Sequence, residues 1–126
     1  MKKTYLFASI IIGMLCINIV NAQWQQTGGP EGGHIYSLAT DGTNIFAGTV
    51  DGIYLSTNNG NSWTAVNNGL TNPHVYAIAI SGNNIFAGTP ANVYLSTNNG
   101  NSWTAVNTGL PNAYIYALAI SGNNIF

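Results

Sequence analysis

Charge is the scarcest commodity in this chain. Of its 126 residues only Lys2, Lys3, Glu31, Asp41 and Asp51 are charged, and arginine is absent. An ordinary soluble domain carries about 25% charged residues. Both lysines stand at the extreme N-terminus, so the chain offers no basic surface for a phosphate backbone, and no nucleic-acid partner is expected. Acidic substrates lack a cationic holder for the same reason. Cys16 is the sole cysteine, so no intramolecular disulfide can form and stability has to come from hydrogen bonding and packing. Helical periodicity is missing too: no window shows apolar residues at i, i+3, i+4 and i+7 without a Gly or Asn-Gly interrupting it, which excludes helical solenoids. What the chain does have is 46% hydrophobic residues, 11% aromatics and fifteen glycines. That is too apolar for disorder, and its Gly and Asn content marks a chain that turns often. The composition reads as all-β.

Residues 1–22 form a separate segment. Met1-Lys2-Lys3-Thr4 precedes an apolar run over residues 5–20, and Val20-Asn21-Ala22 ends it with short residues, the pattern of a secretory signal peptide cleaved after Ala22. The apolar run falls just short of the roughly 17 residues needed to span a bilayer, which makes an uncleaved anchor helix the lesser alternative. Leu15 precedes Cys16 where a lipobox would need a small residue, so Cys16 reads as a hydrophobe of the signal core. Cleavage leaves 104 residues without Cys, Lys or Arg. The expectation is export to the periplasm, the cell surface or the medium, with no stable membrane span after cleavage.

The rest is repetitive. Residues 34–73 align without gaps to residues 74–113, with 27 of 40 positions identical, and a third copy begins at Tyr114 and runs to Phe126. Trp24 stands ten residues before His34, close to the eleven between Trp63 and His74, so residues 24–33 read as a closing fourth strand and linker. Within one repeat, Gly and Asn punctuation separates four β-rich runs, at residues 34–40, 44–49, 53–57 and 63–66. Four antiparallel strands per 40 residues is the period of a propeller blade. A β-solenoid is the competing architecture. The first run, nearly all apolar, is expected to be innermost and sandwiched between neighbouring blades. Residues 23–126 would then hold about 2.6 blades, an incomplete ring whose missing blades lie elsewhere in a longer chain, because closed propellers usually have four to eight.

The most specific motif is Ser56-Thr57-Asn58-Asn59-Gly60-Asn61-Ser62-Trp63, repeated as Ser96-Thr97-Asn98-Asn99-Gly100-Asn101-Ser102-Trp103. It has the chemistry of a hairpin turn: Asn59-Gly60 supplies positive-φ positions, the Asn58 side chain can bond local backbone, and Trp63 covers the turn. The motif resembles the Asp-box, or bacterial neuraminidase repeat, Ser/Thr-x-Asp-x-Gly-x-x-Trp, found in sialidases, sortilin-type receptors, photosystem II assembly factor-like propellers and some glucan-cleaving enzymes. The resemblance implies that Ser56, Asn58, Gly60 and Trp63, and likewise Ser96, Asn98, Gly100 and Trp103, are the structural residues of two boxes. Asn58 and Asn98 stand where the box has Asp, which keeps an acceptor and loses the charge. A blade identifies no activity by itself.

No catalytic set emerges. Sialidase activity by resemblance needs three arginines, and there are none. The loop carboxylate Asp51, in Gly48-Thr49-Val50-Asp51-Gly52, stands where glucan-cleaving relatives could place an acid or base, but hydrolysis needs a second carboxylate, with only Glu31 and Asp41 to choose from. His34 and His74 open equivalent inner strands, with Tyr114 in the third copy, and lack the further ligands a metal would want. No metal or cofactor is expected. Tyr36, Tyr54, Tyr76, Tyr94 and Tyr116 recur with the repeat and read as inter-blade core, with a sugar-stacking platform as the alternative. Between the copies most changes of chemical character fall at 50–52 against 90–92 and at 68–73 against 108–113, on the end opposite the boxes, although Asp41 against Ser81 falls on the box end. Loops on a rigid scaffold commonly carry function, so Asp51, His34, His74 and Asn92 are the candidate binding-face residues. The expectation is an exported, non-catalytic propeller scaffold that binds a protein or a glycan. The alternative is the N-terminal fragment of a glycan-cleaving glycoside hydrolase.

Overall fold

The computed structural model describes residues 26–30 and 33–126. The signal segment, Trp24, Gln25 and Glu31 lie outside the described residues. Among the described residues ten strands and no helix follow one another: β1 (Ile35–Thr40), β2 (Ile45–Thr49), β3 (Gly52–Ser56), β4 (Thr64–Ala65), β5 (Ala77–Ser81), β6 (Asn84–Gly88), β7 (Val93–Ser96), β8 (Thr104–Ala105), β9 (Ile120–Ser121) and β10 (Asn124–Ile125). They form two four-stranded antiparallel sheets in sequential order, β1 to β4 and β5 to β8, and a β9–β10 pair. These are the blades read from the 40-residue period, each strand beginning or ending within two residues of its expected run.

Up-and-down order gives each blade two ends. At the near end the chain enters the first strand and turns from the second into the third. At the far end lie the first turn and the eight-residue turn that carries the tryptophan. Gln26 and Thr27, the described part of the expected closing strand, pair with no strand. Thr27 nevertheless packs on Gly60 as Val66 packs on Gly100: a Cβ on either glycine would lie 3.1 or 3.2 Å from the neighbour's Cγ2.

The core lies between the blades. Register aligns Ile78, Ala87 and Tyr94 in one row across the second sheet, and all three are buried under the first blade. The matching row of the first sheet is Leu38, Ala47 and Tyr54, in which Leu38 is 62% exposed where Ile78 is 8% exposed. The innermost strand is thus covered on both faces in the second blade and on one face in the first. Phe46, Ile53, Val75, Ile85 and Trp103 complete the cluster. Each large apolar side chain buried here contributes about 1.5–3 kcal/mol. The approach is close because Gly48 permits it: a Cβ there would stand 2.8 Å from the Val75 carbonyl oxygen. Across the same seam the Val75 amide donates to the Thr49 carbonyl (2.9 Å), and the Ile78 amide donates to Ser37 Oγ (2.9 Å).

Candidate aromatic surface at the near end

The far end is built for structure. In each eight-residue turn the serine hydroxyl accepts from the glycine amide (Gly60 to Ser56, 2.8 Å; Gly100 to Ser96, 2.9 Å). The asparagine closes the loop with both ends of its amide: Asn58 Oδ1 accepts from Ser62 N (2.9 Å), and Nδ2 donates to Ser62 Oγ (2.8 Å), with the same pair at Asn98 and Ser102. A neutral amide therefore satisfies this turn by itself. Asn59 and Asn99 take φ of 57° and 56°, the left-handed conformation expected of an Asn-Gly turn. Trp63 Nε1 donates to its own turn at Gly60 O (3.2 Å), whereas Trp103 Nε1 crosses the seam to Val66 O (2.8 Å) and Trp103 N donates to Asn68 O (2.9 Å). The second turn thereby clamps its blade to the first, a role beyond covering the turn.

Asp41 serves the far end as well. Its Oδ1 accepts from the amides of Thr43 (2.8 Å) and Asn44 (2.6 Å). The Asn44 amide, then that of Thr43, holds the carboxyl below its ordinary value. Asp51 sits at the near end, exposed, in the turn between β2 and β3. The described carboxylates are therefore at opposite ends of one blade, which is no arrangement for paired acid and base. Among the described residues no group of three His, Cys, Asp or Glu gathers to hold a metal ion.

At the near end the inner strands bring together rings that the sequence reading assigned mainly to the core. Tyr76 is the hub. Its ring centroid lies 5.0 Å from Tyr36, 5.0 Å from Tyr116, and 6.3 Å from both Tyr114 and His74. Tyr114 and Tyr116 stack at 5.7 Å with only 11° between their planes. Tyr36, Tyr114 and Tyr116 are 46%, 59% and 67% exposed and Tyr76 is half-buried, so the rings of Tyr36, Tyr76 and Tyr116 pack between successive blades, as expected of inter-blade residues, and also leave part of their surface in solvent. The physical reason is local. A register shift between Ile35 and Ser37 takes Tyr36 out of the paired ladder, and Tyr76 lies just before β5. Neither residue is held in the paired ladder, and their rings meet across the seam at its near end. Tyr94, within β7, is buried as expected, and its hydroxyl meets Thr71 Oγ1 (2.6 Å) and accepts from Asn92 Nδ2 (3.1 Å). Among the described residues no protein group bonds the hydroxyls of Tyr36, Tyr76, Tyr114 or Tyr116. Crowding by the neighbouring rings strips solvent from the Tyr76 phenol and raises its pKa, and Tyr116, Tyr36 and Tyr114 add to the shift.

The four residues singled out from sequence share this end but have different roles. His74 touches the cluster through Tyr76, and His34 is exposed at the start of the first inner strand. Asn92 is a strut: its carbonyl and amide bond the Thr89 hydroxyl, and its side chain bridges Tyr94 and Asn107. Sequence reasoning gave the tyrosines only second place as a surface; the clue was that 36, 76 and 116 recur at the 40-residue period just inside the strand start.

A family model described as a DUF6242 beta propeller domain matches residues 5–125. Among solved structures, the chain is similar to an ancestral GH74 enzyme at 31% identity and a TM-score of 0.65, covering 80% of this chain and 14% of that one. It is also similar to the computationally designed Ika4 protein, at 13% identity and a TM-score of 0.43, covering 79% of this chain and 87% of that one. The chain spans about one seventh of the GH74 enzyme's length. No curated protein matches it.

Proposed function

The chain belongs to this beta propeller domain family, and from that premise we propose that it is part of an exported, non-catalytic propeller that binds a glycan across its near end. The observation that carries the reading is the exposed tyrosine cluster centred on Tyr76. A pyranose ring has an apolar C–H face that settles on the electron-rich face of an aromatic ring, and phenol hydroxyls can bond the sugar's own hydroxyls. The two eight-residue turns act in this reading as Asp-boxes with Asn58 and Asn98 in the acid's place, holding the blades at the far end while the near end stays open to ligand. Affinity electrophoresis of the protein in gels cast with soluble glucan, mannan or xylan tests the proposal. Retardation in at least one gel, weakened by Tyr116→Ala, is expected; unchanged mobility in all three would refute it.

A second reading is supported by the likeness to an ancestral GH74 enzyme: these blades belong to a glycoside hydrolase in which Asp51 is one acid and its partner lies outside the described residues. Release of reducing ends from a glucan by the protein, abolished by Asp51→Asn, would favour that reading over the first.

A further inference from the structure

Resting on the glycan reading above, we infer that the near-end site is specific for uncharged sugar chains several units long. Two features of the surface define that ligand. The first is charge. Asp51 is the sole charged side chain at this end among the described residues, and the chain's two lysines are at positions 2 and 3. A uronate or sulfated sugar brought down on the tyrosines would lose water from its anion and find no cation in return, with a carboxylate at the same end. Unpaired burial of a charge is strongly disfavoured. A neutral sugar meets no such cost, since phenol hydroxyls both donate and accept.

The second feature is repetition. Tyr36, Tyr76 and Tyr116 occupy one position in three consecutive repeats and step across the surface as a continuous row, each ring 5.0 Å from the next. Tyr114 stacks on Tyr116, their planes 11° apart, and adds a fourth ring beside the row. A monosaccharide covers one ring and leaves the others in water. A chain of several units engages the row in one binding event, so that each further contact adds to affinity without a second loss of translational freedom.

Titration calorimetry on the protein decides this, with neutral β-linked gluco-oligosaccharides of one, two, four and six units set against galacturonate oligomers of the same lengths. The neutral series is expected to gain about tenfold or more in affinity from one unit to four, and the uronates to bind at least about tenfold more weakly at equal length. Tyr36→Ala and Tyr116→Ala, both at exposed positions, are each expected to lower tetramer affinity by about tenfold, the loss of one aromatic anchor, while Tyr116→Phe keeps most of it. Uronates binding as tightly as neutral sugars, or a monosaccharide binding as tightly as a tetramer, would overturn the inference and leave glycan binding intact. Absence of binding in both series would overturn the inference, and glycan binding falls with it only if mobility in the glucan, mannan and xylan gels is unchanged as well.

Discussion

The Tyr94 hydroxyl offers the sharpest test of how the blades are held together. The ring is 2% exposed in the seam, and its oxygen lies 2.6 Å from Thr71 Oγ1, on the segment leaving the first blade, and 3.1 Å from Asn92 Nδ2. Tyr94→Phe removes that oxygen and leaves the ring in place, so packing is nearly unchanged and the cost is that of the hydrogen bonds. A net intramolecular hydrogen bond contributes about 0.5–1.5 kcal/mol. Thr71 is exposed and can turn to water, which keeps the cost near the lower end for that bond, while half-buried Asn92 recovers less. The expected total is about 1–2 kcal/mol. Equilibrium urea denaturation should show it as a lower midpoint at constant slope. Combining Tyr94→Phe with Thr71→Val in a double-mutant cycle isolates the hydroxyl-to-hydroxyl bond across the seam, because Thr71→Val leaves the longer bond from the Thr71 amide (3.4 Å) in place, with an expected coupling of about 0.5–1.5 kcal/mol. A coupling indistinguishable from zero, with Tyr94→Phe itself silent, would refute the view that this bond ties the blades.

Three other outcomes follow from the same geometry. Trp103→Phe should cost more than Trp63→Phe, by about 1 kcal/mol or more, because Trp103 is buried and bonds across the seam while Trp63 bonds within its own turn; thermal melts of the two variants compare them directly. Gly48→Ala should destabilise by about 1–3 kcal/mol, measurable by urea unfolding, since the added carbon meets the Val75 main-chain oxygen, which cannot rotate away. Asp41 is held ionised by turn amides, so its folded pKa lies below 3.8. Its contribution is therefore full above that value and lost as pH falls through the folded pKa, so Asp41→Asn should flatten the acid limb of a stability-against-pH curve and leave neutral pH little affected, the carboxylate being solvent-screened.

The repeat made the fold legible. A 40-residue period with turn chemistry at fixed offsets fixes four strands, their order and their ends, and the Asn-Gly turns adopt the backbone conformation those residues demand. The site was less legible for a specific reason. Alternation assigns every second residue of a strand to the seam, and on that rule Tyr36, Tyr76 and Tyr94 are alike. Tyr94 obeys it. Tyr36 lies at a register shift and Tyr76 before its strand begins, and nothing in the residue types announces either irregularity. Asn92 adds a role that its variability did not announce: it differs between copies, as a binding loop would, and its side chain bonds Tyr94 and Asn107 inside its own blade.

The most direct test of the central claim is to follow the tyrosine ring resonances by NMR while titrating the protein with a neutral gluco-oligosaccharide of six units. The rings of Tyr36, Tyr76, Tyr114 and Tyr116 should shift together and saturably, with those of Tyr94, Trp63 and Trp103 unmoved. Shifts confined to the tryptophans of the far end, or no shift at all, would contradict it.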